Sequence, residues 1–211
     1  MLSRLQEHLE AIYGLNHAQR VQQFLIDEEL ARALGATGRA PEELLVHEAG
    51  QELWLGLYLS PELHERIETL GTTVETWLEG HLNAYCQLAE GVSHFLYLTY
   101  AALQGRTLSL LELETQAEVD KFAICLLQGW DRADRWGNEI HRRLFSTVSY
   151  NQALSEQERQ RYEEANRVSG AYCRRLISLA AMHRMDRFLS ELRFSYRLGA
   201  EAKLRYFAHT G

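Results

Sequence analysis

Proline is nearly absent: Pro41 and Pro61 are the only two, and nothing after Pro61 interrupts a helix in the way proline does. A tail of about 150 residues without it, written largely in helical periods, argues for a helical bundle. Cysteine is also scarce. Cys86, Cys125 and Cys173 are odd in number, far apart and each on an expected helix, so they make neither a disulfide framework nor a zinc knuckle and read as reduced structural residues. No apolar run reaches the 18 or more residues of a membrane span, and Met1 to Glu7 lacks the apolar core of a signal peptide. The expected location is therefore cytoplasmic, with no membrane partner.

Chemical motifs are missing as well. There is no Gly-x-Ser-x-Gly, His-Glu-x-x-His or Cys-x-x-Cys. The glycine-bearing stretch Gly35 to Pro41 is followed by no Gly-Lys-Ser/Thr, which makes it a linker and not a phosphate loop. No cofactor is expected. Positive charge is scarce in the first part of the chain: residues 1–120 carry 19 acidic and 6 basic side chains, whereas residues 121–211 carry 10 and 16. Such asymmetry lets helices neutralise one another within a bundle, or offers a basic face to an acidic partner.

What is present is mainly helical. The chain is expected to be all-α, a single bundle of about six to eight helices with a small β-hairpin near residues 43–59. Residues 1–60 would form N-terminal helices and the hairpin, and residues 61–211 a bundle built around a helical hairpin over 72–127. Leu2–Tyr13 and Ala18–Leu34 read as amphipathic helices, the second capped by Asn16. Glu43–Glu48 and Glu52–Leu59 flank Ala49-Gly50-Gln51 and alternate as strands do. A lone hairpin is marginal in water, so it should lie on the helices or join a partner, with Trp54 and Tyr58 as contact residues. Ser60-Pro61 opens the next helix, serine as cap and proline at the first helical position.

Within the 72–127 hairpin, Val74, Leu78, His81, Tyr85, Leu88, Val92 and Phe95 recur at helical spacing, and Thr72-Thr73-Val74-Glu75 reads as a capping box. His81 falls on the apolar seam and reads as a core histidine. The second helix opens at Ser109 with Glu112 three residues on, and shows two apolar arcs separated by two polar ones, Glu112/Gln116/Asp120 and Glu114/Glu118/Lys121. A helix apolar on two sides packs on two sides, which can leave carboxylates in a crevice where they need partners. Ser155-Glu156-Gln157-Glu158 is a further capping box, opening a long helix.

Glu90 and His94, one helical turn apart, together with Glu114 and Glu118, are the candidate catalytic residues. Glu90, His94, Glu112 and Asp120 are the candidates for a metal, since facing helices of a bundle hold divalent ions with carboxylates and imidazoles. The two Glu-x-x-His copies of a di-iron site are absent. From Tyr172 to His209 eight basic side chains outnumber three acidic ones and alternate with aromatics, so Arg174, Arg175, Arg184 and Arg187 are candidate contacts to a protein or to nucleic acid. Three function classes follow: a non-enzymatic adaptor or complex subunit working through a protein partner or its own oligomer, a nucleic-acid-binding accessory protein, and a carboxylate- or metal-dependent hydrolase. The absence of chemical motifs favours the first.

Overall fold

The structure, a computed structural model, describes residues 1–49, 52–70 and 74–209. The chain is mainly α-helical with a small sheet, as its composition and periodicity imply. Among the described residues there are ten α-helices, against the six to eight expected, and one stretch read as a continuous helix is divided in two. Contacts group the chain into two compact units, residues 1–8 with 16–96 and residues 9–15 with 97–211.

In the first unit the stretch expected as a helix over Ala18–Leu34 is instead a 3-10 turn (Val21–Phe24), a short strand β1 (Leu25–Ile26) and helix α2 (Glu28–Ala33). Two side-chain interactions fix this path. The Gln6 side chain, on helix α1 (Leu2–Tyr13), accepts from Val21 N at 2.9 Å and donates to Gln19 O at 2.9 Å, anchoring the connection in a non-helical path. Asp27 then caps α2, accepting from Leu30 N at 2.8 Å, so the helix starts after the strand.

Strands β2 (Glu42–Ala49) and β3 (Glu52–Leu59) pair antiparallel, with His47 opposite Trp54 and Leu44 opposite Leu57. Strand β1 adds in parallel on the other side of β3, covering only Leu57 and Tyr58. The expected hairpin is thus the larger part of a three-stranded sheet. Ile26 presses so closely on Gly56 that a Cβ there would lie 2.7 Å from its Cδ1. The turn at Gly50-Gln51 and the Thr72-Thr73 part of the expected capping box lie outside the described residues.

Ser60 Oγ accepts from Leu63 N at 3.3 Å and opens helix α3 (Pro61–Leu70), as the Ser-Pro signal implies. The helix expected to run unbroken to Leu103 is divided into α4 (Val74–Gly80) and α5 (Leu82–Leu103). Backbone bonds still bridge the joint, from His81 N to Trp77 O and from Tyr85 N to His81 O. His81 is consequently partly exposed at the joint and not a fully buried core histidine. Beyond it, Gly91 lets α5 approach the sheet, since a Cβ there would stand 3.0 Å from Leu57 Cδ1.

The second unit is organised by α6 (Leu110–Gln128), which packs most extensively along α8 (Glu156–Ala181). Both starts are capped as their sequences imply: Ser109 Oγ accepts from Glu112 N at 3.1 Å, and Ser155 exchanges bonds with Glu158. From Val119 to Leu126 every α6 residue is buried, which is the consequence of apolar arcs on two sides. The chain then passes through a 3-10 turn (Trp130–Arg132) to α7 (Ala133–His141), a π-helical turn (Arg142–Ser146), α8, α9 (Met185–Tyr196) and α10 (Ala200–Ala208). Neither Asp131 nor Asp134 caps α7, whose N-cap is Arg132 with no side-chain bond.

The α6 terminus is closed by a tryptophan. Trp136 Nε1 donates to Cys125 O at 2.7 Å, satisfying one of the carbonyls that a helix end leaves without a partner. This seats the indole on Gly129, where a Cβ would come within 2.2 Å of Trp136 Cδ1. Gly129→Ala is therefore expected to destabilise the protein by about 1 to 3 kcal/mol through overpacking. Gly80→Ala, with nothing within 4 Å of the added carbon, should cost nothing comparable. Urea denaturation of the two variants checks the contrast, and equal stabilities would refute this account of the helix end.

Candidate functional site

The polar arc Glu112/Gln116/Asp120 of α6 faces inward in the second unit, where the three side chains are 0 to 1% exposed. Carboxylates so placed must be answered by hydrogen bonds and opposite charge. Asp120 Oδ1 accepts from the Tyr13 hydroxyl and, at 2.7 Å, from Gln116 Nε2. Glu112 Oε1 accepts from the Tyr97 hydroxyl at 2.6 Å and from Arg106 Nη2 at 2.7 Å. Glu112 Oε2 and Arg106 Nη1 are buried without a hydrogen-bond partner among the described residues.

The cation at the centre of this layer is Lys203 of α10, which is fully buried. Its Nζ donates to Gln116 Oε1 and lies 4.1 Å from the centroid of the Tyr97 ring and 5.5 Å from that of Tyr196. Tyr196 in turn stacks on Tyr13 with ring centroids 4.0 Å apart. Burial lowers the Lys203 pKa to about 7, against the opposing pull of Glu112 and Asp120. Burial raises the phenols of Tyr13, Tyr97 and Tyr196, with Asp120 or Glu112 adding to it, so all three stay neutral donors.

An amine that gives up its proton near neutrality, beside two carboxylates, has the chemistry of a general base. Lys203, Glu112, Gln116, Tyr97 and Tyr13 are at most 1% exposed, however, and a base that meets no solvent meets no substrate in this conformation. What the layer does here is join α1, the end of α5, α6, α9 and α10 through mutually dependent bonds.

The second polar arc lies nearer the surface. Glu118 pairs with Lys121 at 2.9 Å, and Glu114 stands 3.7 Å from Arg161 Nε. Glu90 and His94 belong to the first unit, one turn apart on α5 and each partly buried. The candidate metal residues Glu112 and Asp120 have separate partners in the second unit, Glu112 the guanidinium of Arg106 and Asp120 the phenol of Tyr13. Lys203, Tyr13 and Arg106 were not singled out by spacing, although one signal exists. Ala200, Lys203 and Phe207 lie on one face of α10, and a lysine between two such residues points into a core.

Part of the basic charge of the C-terminal helices is engaged inside the second unit. Arg193 donates to Ile12 O at 2.8 Å and Ala11 O at 3.1 Å, and Arg197 to Tyr13 O at 3.2 Å, so two guanidinium groups cap the C-terminal end of α1. Arg175 pairs with Glu191 and lies over the rings of Tyr172 and Tyr206. Arg184 pairs with Asp186 at 2.8 Å, while Arg174 and Arg187 are exposed. Of the interleaved aromatics, Phe188, Tyr196 and Phe207 are core residues.

In the first unit the two aromatic contact candidates part company. Tyr58 is 7% exposed near the base of the hairpin, and Trp54 is 63% exposed near its tip. Val46 at 44% and Leu53 at 39% flank it. By the register, Val46, Leu53 and Leu55 share one face and His47 and Trp54 the other, so both faces of the tip carry exposed apolar surface. No family model matches the chain, and no curated protein or solved structure matches it either. No helix among the described residues is long and apolar enough to cross a membrane.

The lysine layer sets a pH dependence. The unfolded lysine titrates near 10.5 and the folded one near 7, so between these values the unfolded chain binds the extra proton and stability rises with pH. Below pH 7 both states hold the proton and this contribution is constant. Relative to Lys203→Met, which removes the titration, the wild type is expected to gain about 2 kcal/mol between pH 7 and pH 9. Urea unfolding of both proteins across that interval measures it, and parallel pH profiles would show that Lys203 keeps its proton.

Proposed function

We propose that the chain is a non-enzymatic cytosolic adaptor or complex subunit that works through protein–protein contact, with the β2–β3 hairpin as its principal surface. The observation that carries this is the tip around Trp54. A hairpin gains stability by burying at least one face, and here the base does so through Leu57, Tyr58 and Leu59. The tip covers nothing comparable and presents Val46, Leu53 and an indole to water. Large exposed apolar groups gathered on one element mark contact surfaces, and tryptophan is prominent among the residues that dominate binding energy.

The edges favour the same reading. Strand β1 reaches only Leu57 and Tyr58, so β3 toward the tip has no strand on that side among the described residues. An open edge beside exposed apolar side chains suits a partner that adds main-chain bonds and receives the indole in a pocket.

Val46→Ser with Trp54→Ser should leave the melting temperature within a few degrees of the wild type, because neither side chain is in the core. The same double variant should abolish recovery of a stoichiometric partner, or of the chain's own oligomer, read by light scattering on affinity-purified material. An unchanged assembly would remove the hairpin from the contact.

A further inference from the structure

At the base of the sheet an open groove of about 420 Å³ runs between β1, the start of α2, the end of β3 and α3. Its floor is apolar, formed by Ile26, Leu59 and Pro61. Its rim is acidic: Asp27, Glu28, Glu65 and Glu68 line it, with His64 the only nitrogen-bearing side chain and no lysine or arginine. Glu65 and Glu68, on one face of α3, are exposed and make no ion pair among the described residues. Asp27 is committed to capping α2, and Glu28 pairs with Arg32.

One lining residue adds a neutral donor to this rim. Tyr58 is 7% exposed, yet its hydroxyl makes no hydrogen bond to any described residue. It is the ring that is buried; the hydroxyl itself stays open to water and opens onto the groove. Burial, then Glu28, raises its pKa against the opposing effect of Arg32, so it remains a neutral hydroxyl.

We propose that this groove binds a lysine- or arginine-bearing extended segment of a partner protein, its aliphatic stem on Ile26, Leu59 and Pro61 and its cationic head among Glu65, Glu68 and the Tyr58 hydroxyl. An apolar floor with an acidic rim matches a long basic side chain, which carries a greasy stem below a charged end. Charge complementarity of this kind selects partner and register. A divalent ion fits less well: no three of the groove's imidazole and carboxylate groups converge to within 4.8 Å, whereas a calcium site gathers six to eight oxygens around one point. The inference rests on the reading of the chain as a contact protein and adds the chemistry of what it contacts.

The test uses the full chain and a fluorescein-labelled octapeptide alternating lysine with alanine, read by fluorescence anisotropy, with the glutamate–alanine counterpart as control. The lysine peptide is expected to bind, more weakly as salt rises, and the glutamate peptide not to bind. Glu65→Gln with Glu68→Gln should weaken binding about tenfold. Glu7→Gln with Glu163→Gln removes the same charge from exposed positions outside the groove and should leave binding unchanged. Equal loss in both double variants would reduce the effect to net charge and overturn the proposal. So would equal binding of the two peptides, or stoichiometric calcium chloride displacing the lysine peptide. Trp54→Ser, away from the groove, separates the two readings: peptide binding that survives loss of assembly supports the groove independently, and assembly that survives loss of peptide binding leaves the hairpin contact standing alone.

Discussion

A charge taken out of water must be answered where it lands, and in the second unit that requirement falls on one layer across α6. Glu112 and Asp120 are drawn inside because α6 is apolar on two sides and cannot turn both polar arcs outward. Each then needs donors that only other elements can supply: Tyr13 from α1, Tyr97 from α5, Arg106 from the connection, and Lys203 from α10, which acts on the acids by charge and on Gln116 by hydrogen bond. Apolar packing alone would tolerate small slides of these helices. A layer of directional bonds does not, because a slide strands a buried charge.

The same requirement accounts for several of the basic side chains of the C-terminal helices. Arg193 and Arg197 reach the carbonyl end of α1, which closes at Gly14 in the left-handed conformation (φ 63°). Arg175 is held by Glu191 between two tyrosine rings. Part of the positive charge that accumulates after residue 120 thus satisfies groups of its own unit, as helix pairing in a bundle demands.

The first unit is organised differently. Its sheet is anchored at one end by Leu57, Tyr58 and Leu59 and by the close approach of Ile26 and Leu57 to glycines. Its other end extends Trp54 into solvent. The groove and the hairpin tip lie toward opposite ends of β3, so an anchored base and a free tip give one strand two surfaces of unlike chemistry, one acidic over an apolar floor and one apolar on both faces.

Much of the secondary structure was legible because its causes are local. The Ser109, Ser155 and Ser60-Pro61 starts, the alternation of β2 and β3, and the two-sided burial of α6 each follow from residues a few positions apart. That one of the two carboxylate strips of α6 would lie in a crevice could be read for the same reason, but not that it would be Glu112, Gln116 and Asp120. What tertiary structure decided was everything whose partner is distant in sequence: that Leu25-Ile26 joins a sheet and is not helical, that Tyr58 is buried while Trp54 is exposed, and that Lys203 answers the acids of α6. Helical and strand periods specify which side of an element avoids water. They carry no information about which remote donor will satisfy a buried acceptor, because that bond exists only after the chain has closed.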